Sequence, residues 1–128
     1  MSRIKGKNTG PEIIVRKFLF SSGFRFRLYD AKLPGKPDIV LAKYKTVIFV
    51  HGCFWHGHSG CKYFVMPKTR TAFWSEKFLA NKNRDKANVR ALKKIGWRVI
   101  IIWECQLNKN RYWRSLQRVV QKISLTNT

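Results

Sequence analysis

The stretch PGKPDIVLAKYKTVIFVHG, residues 34–52, decides the fold. Two apolar runs, DIVLA (38–42) and KTVIFV (45–50), are separated by a short polar break around Lys43 to Lys45. β-Branched residues dominate both runs, and Pro37 and Gly52 punctuate their outer ends, so the segment predicts a β-hairpin. In a hairpin the start of the first strand lies beside the end of the second, so Asp38 and Val50 are expected to be neighbours.

Outward from the hairpin the chain alternates helix and strand. Upstream, TGPEIIVRKFLFSSG (9–23) predicts a helix, with Thr9 as cap, Pro11 in the first turn and Gly23 closing it. Ile13, Phe18 and Leu19 are its expected core residues. FRFRL (24–28) alternates apolar and basic residues and suits a half-exposed strand, and LPGKP (33–37) is a turn. Downstream, residues 51–70 form a loop, and TAFWSEKFLANKNRDKANVRALKKIG (71–96) a long helix ended by Gly96. WRVIIIWE (97–104) is a continuous apolar run expected to be a buried strand, and KNRYWRSLQRVVQKIS (109–124) a terminal amphipathic helix. Together these elements predict one α/β domain over residues 1–128, built around a mixed sheet.

The chain has 128 residues, with 27 Lys and Arg against 6 Asp and Glu, a formal charge of +21. Such a surface attracts polyanions and releases their counterions, which makes nucleic acid the expected partner. Aromatic residues make up 14% of the chain, which suits stacking on bases. No run of eighteen apolar residues is available to span a membrane. MSRIKGKNTG, the first ten residues, lacks the apolar core of a signal peptide, so a cytoplasmic protein is expected. Arg3, Lys5 and Lys7 form a basic N-terminal arm. Lys62, Lys68 and Arg70 flank the central loop as further phosphate contacts, whereas Lys93, Lys94, Lys109 and Arg111 read as ordinary solvated surface.

VHGCFWHGHSGC (50–61) holds all three histidines and two of the three cysteines. Cys53, His58 and Cys61, spaced C-x4-H-x2-C and joined by Cys105 from the end of the last strand, compose a tetrahedral Cys3His zinc set, for which thiolates are the selective ligands. By spacing alone His51, His56 or His58 can supply the nitrogen. If the segment runs extended, residues 51, 53 and 55 face one side and 54 and 56 the other.

A carboxylate at a strand end in so basic a protein, Asp38, can hold Mg²⁺ against a phosphate. On the long helix Asp85 shares the apolar stripe of Phe78, Val89 and Leu92. An acid on such a face is costly unless paired, so Asp85 is expected to meet a histidine, a basic side chain or a metal. Glu12 is a possible third acid near the site. The histidines not used by zinc suit general acid–base work in phosphodiester cleavage. Trp97, Trp103 and Trp113 are expected in the core or against the terminal helix.

GKPDIV (35–40), VIFVHGCFWHGH (47–58) with Cys61, KTRTAFW (68–74), NRD (83–85) and GWRVIIIWEC (96–105) resemble, in order and spacing, the very short patch repair (Vsr) endonucleases. MSRIKGKNTGPE (1–12) resembles their N-terminal segment, so the resemblance covers nearly the whole chain. It implies a restriction-endonuclease-like fold and a Mg²⁺-dependent, monomeric, bacterial nucleoid enzyme. Such enzymes nick double-stranded DNA 5′ of the thymine in a T:G mismatch. It further implies Asp38 and the Val50 carbonyl as Mg²⁺ ligands, His56 as the base that activates water, and His51 and Asp85 as supporting residues. Cys53, His58, Cys61 and Cys105 are then the structural zinc ligands. Phe54, Trp55 and Trp74 are DNA-recognition aromatics, and Met1 aligns with an apolar residue inserted into the duplex. Three features depart from the usual pattern: valine instead of threonine at position 50, one extra residue between His58 and Cys61, and a short basic arm.

Overall fold

The computed structural model describes residues 10–54, 56–58, 60–61, 64–108 and 110–125. Met1, Arg3, Lys5, Lys7, the expected cap Thr9, Trp55, Lys62 and Lys109 lie outside them. The elements run α1 (Gly10–Ser21), β1 (Arg27–Leu28), β2 (Ile39–Leu41), β3 (Thr46–His51), α2 (Thr71–Lys94), β4 (Arg98–Trp103) and α3 (Tyr112–Leu125).

The hairpin forms as predicted. β2 and β3 pair antiparallel with Ile39 opposite Ile48 and Leu41 opposite Thr46. A 3-10 turn, Ala42–Tyr44, joins them, and Lys45 reverses the chain at φ 51°. β4 then pairs parallel to β3, Thr46 with Arg98 through His51 with Trp103, and α2 supplies the crossover that a parallel pair requires. The order β1-β2-β3-β4 makes a mixed four-stranded sheet with β4 on an edge.

Period-two alternation gives the sheet two unequal faces. Ile39, Leu41, Ile48, Ile100 and Ile102 pack under Val15 and Leu19 of α1 and Leu116, Val119 and Ile123 of α3. The opposite face offers Val40, Val47 and Phe49, which α2 meets with Leu92. Each such fully buried aliphatic side chain stabilises by about 1.5–3 kcal/mol, so the α1/α3 side carries most of the core. The buried residues of α2 are Phe78 and Leu92. At 1.5 Å rise per residue they are about 21 Å apart along the helix. α2 is therefore anchored at Phe78, two turns in from its start, and at Leu92 near its end, and no buried apolar residue lies between them.

Three local expectations need correcting. α1 buries Val15, Leu19 and Glu12, while Ile13 is exposed, because helix rotation follows the deeper contact with β2 and α3. Within 24–28 only Arg27 and Leu28 pair as strand; Phe24 instead turns into the core. The apolar run of β4 is half-buried rather than buried, because it lies at the sheet edge and α2 covers it incompletely.

Candidate active site

The hairpin brings Asp38 to the end of β3, where the Val50 backbone N–H donates to Asp38 Oδ2 at 2.7 Å. Burial pushes the Asp38 carboxyl up to about 7, against the favourable Val50 N–H; Glu12 raises it further and Arg16 opposes. Glu12 is thus close enough to be felt at Asp38. It is buried, accepts from Tyr29 Oη at 2.6 Å and pairs with Arg16 at 3.1 Å. Asp38 is a carboxyl destabilised as an anion, in a position where a cation would relieve it.

The next residue, His51, is buried at the end of β3. The chain does not stay extended after it. His56 N–H donates to Gly52 O, Gly57 N–H to Phe54 O and His58 N–H to Cys53 O, so the described residues of this loop turn back on themselves. The strand-like alternation that would separate positions 51 and 56 therefore fails, and the two imidazoles stack at 3.8 Å with a 4° interplanar angle. Gly57 makes this possible. Its φ is 59°, and a Cβ there would lie 3.2 Å from Lys82 Cε and 3.4 Å from Phe78 Cβ.

Coiling the loop against α2 places His56 Nδ1 2.6 Å from Asp85 Oδ2. Of the partners open to the acid on this stripe (a histidine, a basic side chain or a metal), Asp85 meets a histidine. A carboxylate at Nδ1 holds the proton there and leaves Nε2 as the lone-pair nitrogen. Burial lowers His51 to about 4, with repulsion from His56 adding and Asp85 opposing. His51 is therefore neutral at pH 7, and its Nδ1 is buried with no hydrogen-bond partner among the described residues.

Beside the histidine pair, one ligand atom each from Cys53, His58, Cys61 and Cys105 lies within 4.8 Å of the others. The Cys105 Sγ to His58 Nδ1 separation is 3.6 Å. Among the three spacing-compatible histidines, the fold selects His58. Burial pushes the Cys53 thiol up to about 12 and raises Cys105 as well, so thiolates here require a bound cation. Three sulfurs and one nitrogen converging at this range can hold one metal ion. The Glu104 carboxylate accepts from Cys53 N–H at 3.3 Å and ties the loop to the turn after β4.

Trp103 corrects an expectation. It lies in the site, not in the core or on α3. Its ring stacks on His58 at 4.0 Å and 5°, and meets His51 edge-on at 5.1 Å. Parallel pairing of β4 with β3 is the reason, since it sets Trp103 opposite His51. Trp97 packs partly buried on the Leu92 side of the core, and Trp113 is exposed, with its ring edge-on to Phe18. Phe54 meets Trp74, Phe78 and Phe64 edge-on or tilted at 5.3–6.2 Å. Lys68 and Arg70 are exposed at the start of α2, with the Arg70 guanidinium 4.3 Å over the Phe73 ring.

A family profile described as DNA mismatch endonuclease Vsr matches residues 1–63. A type II nicking enzyme, V.NmeAIP of Neisseria meningitidis, is 52% identical over 124 residues, covering 96% of this chain and 88% of the relative. The chain belongs to the Vsr family. The type II nicking enzyme V.XorIIP of Xanthomonas oryzae is 50% identical over 108 residues, covering 84% of this chain and 79% of its own length. The DNA mismatch endonuclease Vsr of Escherichia coli is 47% identical over 107 residues, covering 84% and 68%. Membership assigns the chain to the DNA endonucleases, and hence to the hydrolases.

Within this Vsr-family site, sequence reasoning missed two features. One is the stacking position of Trp103, signalled only by its register opposite His51. The other is a cleft of about 650 Å³ between α2 and β4, which Lys93 lines although it read as plain surface. No helix among the described residues is long and apolar enough to cross a membrane.

Proposed function

We propose that this chain nicks one strand of double-stranded DNA 5′ of the thymine in a T:G mismatch, using Mg²⁺ and a histidine base. In this reading it acts as a monomeric, single-domain enzyme of restriction-endonuclease-like fold in the bacterial cytoplasm. The observation that carries it is the His56–Asp85 pair at 2.6 Å beside the strand end that holds Asp38 and Val50. A membership shared with mismatch endonucleases and nicking enzymes supports it.

The Asp38 carboxylate and the Val50 carbonyl would hold the Mg²⁺. When bound, the ion would polarise the scissile phosphate and offset the negative charge gathering on it. His56 Nε2 accepts a proton from water as the water oxygen attacks phosphorus and the bond to the leaving sugar oxygen breaks. Asp85 steadies the imidazolium that results. Neutral His51 presents a flat ring without a second positive charge, so His56 can take up the proton without a cationic neighbour. Valine at position 50 serves as well as threonine, because the backbone supplies the ligand.

Zinc is the metal we assign to Cys53, His58, Cys61 and Cys105, since soft thiolates in a closed four-ligand set favour it. It would brace the loop that carries both His56 and the recognition aromatics Phe54 and Trp55. Wedging aromatics into a base stack costs a few kcal/mol, and less beside a mispair, which is a source of selectivity. Trp74 contributes to the same surface, while Met1, Arg3, Lys5, Lys7, Lys68 and Arg70 serve the flanking duplex.

The test is cleavage of end-labelled duplexes that differ only in one T:G or T:A pair, with and without Mg²⁺. One nick 5′ of the mismatched thymine, absent with Asp38→Ala, is expected. Equal rates on both duplexes would leave a nuclease without mismatch preference, and no cleavage of either would reduce the protein to a zinc-stabilised DNA-binding module.

A further inference from the structure

We propose that the cleft between α2 and β4 binds one unpaired strand of DNA next to the histidine pair. The anchoring of α2 creates the cleft. Phe78 and Leu92 are the two buried residues of the helix, and the span between them lines a space with Ile101 and Trp103 of β4.

The two walls differ in chemistry. From α2, Lys82, Lys86, Arg90 and Lys93 all face the space. Their spacing of four, four and three residues keeps them on one helical stripe, with successive residues about 4.5–6 Å apart along the axis. No carboxylate lies within ion-pair distance of any of them among the described residues; the Asp85 carboxylate on the same wall is taken by His56. Four cations left without acids on one concave stripe, inside a chain of +21, call for a polyanion. The facing wall is apolar and aromatic, with Ile101 and Trp103 from the strand, one face of the Trp103 ring being covered by His58. A row of cations opposite a stacking wall is the pattern of single-strand recognition, in which phosphates track the basic side and bases lie on the apolar one.

Size and position select the occupant further. A volume of about 650 Å³ admits a few nucleotides of one strand, whereas a duplex groove reader would need a protruding element rather than a recess. His51 and His56 form one end of the cleft, so a strand lying in it is continuous with the hydrolytic site. This role rests on the nuclease reading only for its purpose. The cleft would hold the strand beside the nick once it has lost its pairing partner.

Binding can be read apart from cleavage. A fluorescein-labelled oligo-dT of about 12 nucleotides, within the usual range of single-strand site sizes, is titrated with the full chain without added divalent metal. The readout is fluorescence anisotropy. The variant Lys86→Ala/Arg90→Ala/Lys93→Ala is compared with Lys17→Ala/Arg114→Ala/Arg118→Ala, which removes equal charge from exposed positions on α1 and α3. Thermal melts verify that both are folded, and Arg90→Glu alone provides a second probe of the stripe. The α2 variant is expected to lose at least about tenfold in affinity, and its log–log salt slope to fall by about 2, the value for three lost phosphate contacts. The control is expected to stay within about threefold. Equal losses in the two triple variants, or wild-type affinity in Arg90→Glu, would overturn the proposal. Because the oligomer carries no mispair and no metal is supplied, absence of nicking in the duplex assay would not alter this result. Normal nicking would not rescue it either.

Discussion

His56 Nδ1 sits 2.6 Å from Asp85 Oδ2, joining the loop after β3 to the middle of α2 across 29 residues of chain. This contact fixes the imidazole tautomer and ties α2 between Phe78 and Leu92 to the site. Asp85→Asn keeps the shape but can present its amide N–H to Nδ1, which favours the tautomer with the proton on Nε2. We expect nicking under single-turnover conditions to slow by about 10²–10⁴, with substrate affinity within a few-fold of wild type. A rate within threefold would remove His56 from the role of base.

Asp38 links stability to pH in a definite direction. Its folded value, about 7, lies above the ordinary carboxylate value of 3.8. The folded protein therefore holds this proton more tightly than the unfolded chain, and the associated stability, complete below about pH 4, is lost as pH rises through about 7. Asp38→Asn abolishes that loss. Without Mg²⁺, its melting temperature should exceed wild type at about pH 8 and converge with it near pH 4. A variant that melts lower at pH 8 would contradict the burial argument.

The same carboxyl couples metal and proton. Mg²⁺ must displace the proton on Asp38, so the acid limb of the nicking profile should move to lower pH as Mg²⁺ is raised. Initial rates across pH 5.5–8 at two metal concentrations tenfold apart should differ by as much as about one pH unit in that limb, one proton being exchanged for one ion. Superimposable limbs would show that Asp38 is not the metal ligand.

Cys105 lies 44 residues beyond Cys61 yet shares its cluster. Cys105→Ser should lower bound zinc, read by elemental analysis of the purified protein, from one equivalent to a fraction of one. The melting temperature should drop by about 10 °C or more, corresponding to about 3 kcal/mol for a chain of this size. Full zinc content in the variant would assign the ion elsewhere.

Gly57 combines a left-handed φ of 59° with close packing against Lys82 and Phe78. Gly57→Ala should destabilise by about 1–2 kcal/mol from the backbone alone. It should also slow nicking more than it weakens DNA binding, because the displaced residue neighbours His56. Parallel assays of melting, binding and rate would separate these effects, and unchanged kinetics would show that the coil tolerates the shift.

What the sequence determined by itself was mostly local or carried by family motifs. The hairpin followed from two β-branched runs around a polar break, and α2 from its length and the Gly96 stop. The cysteines with a histidine pointed to a set of residues able to hold a metal, and the inward acid Asp85 pointed to a partner, because a charge on an apolar stripe is costly unless satisfied. The tertiary structure decided which partners met. Spacing favoured His58 for the cluster with His51 or His56 as alternatives, and the turning of the loop after β3 settled on His58 and stacked His56 on His51. Parallel pairing of β3 with β4 brought Trp103 opposite His51. Pinning α2 at Phe78 and Leu92 opened the cleft and turned Lys93 from plain surface into lining. These outcomes depend on strand register and loop handedness, which are set by long-range packing and leave no mark on the periodicity of any single segment.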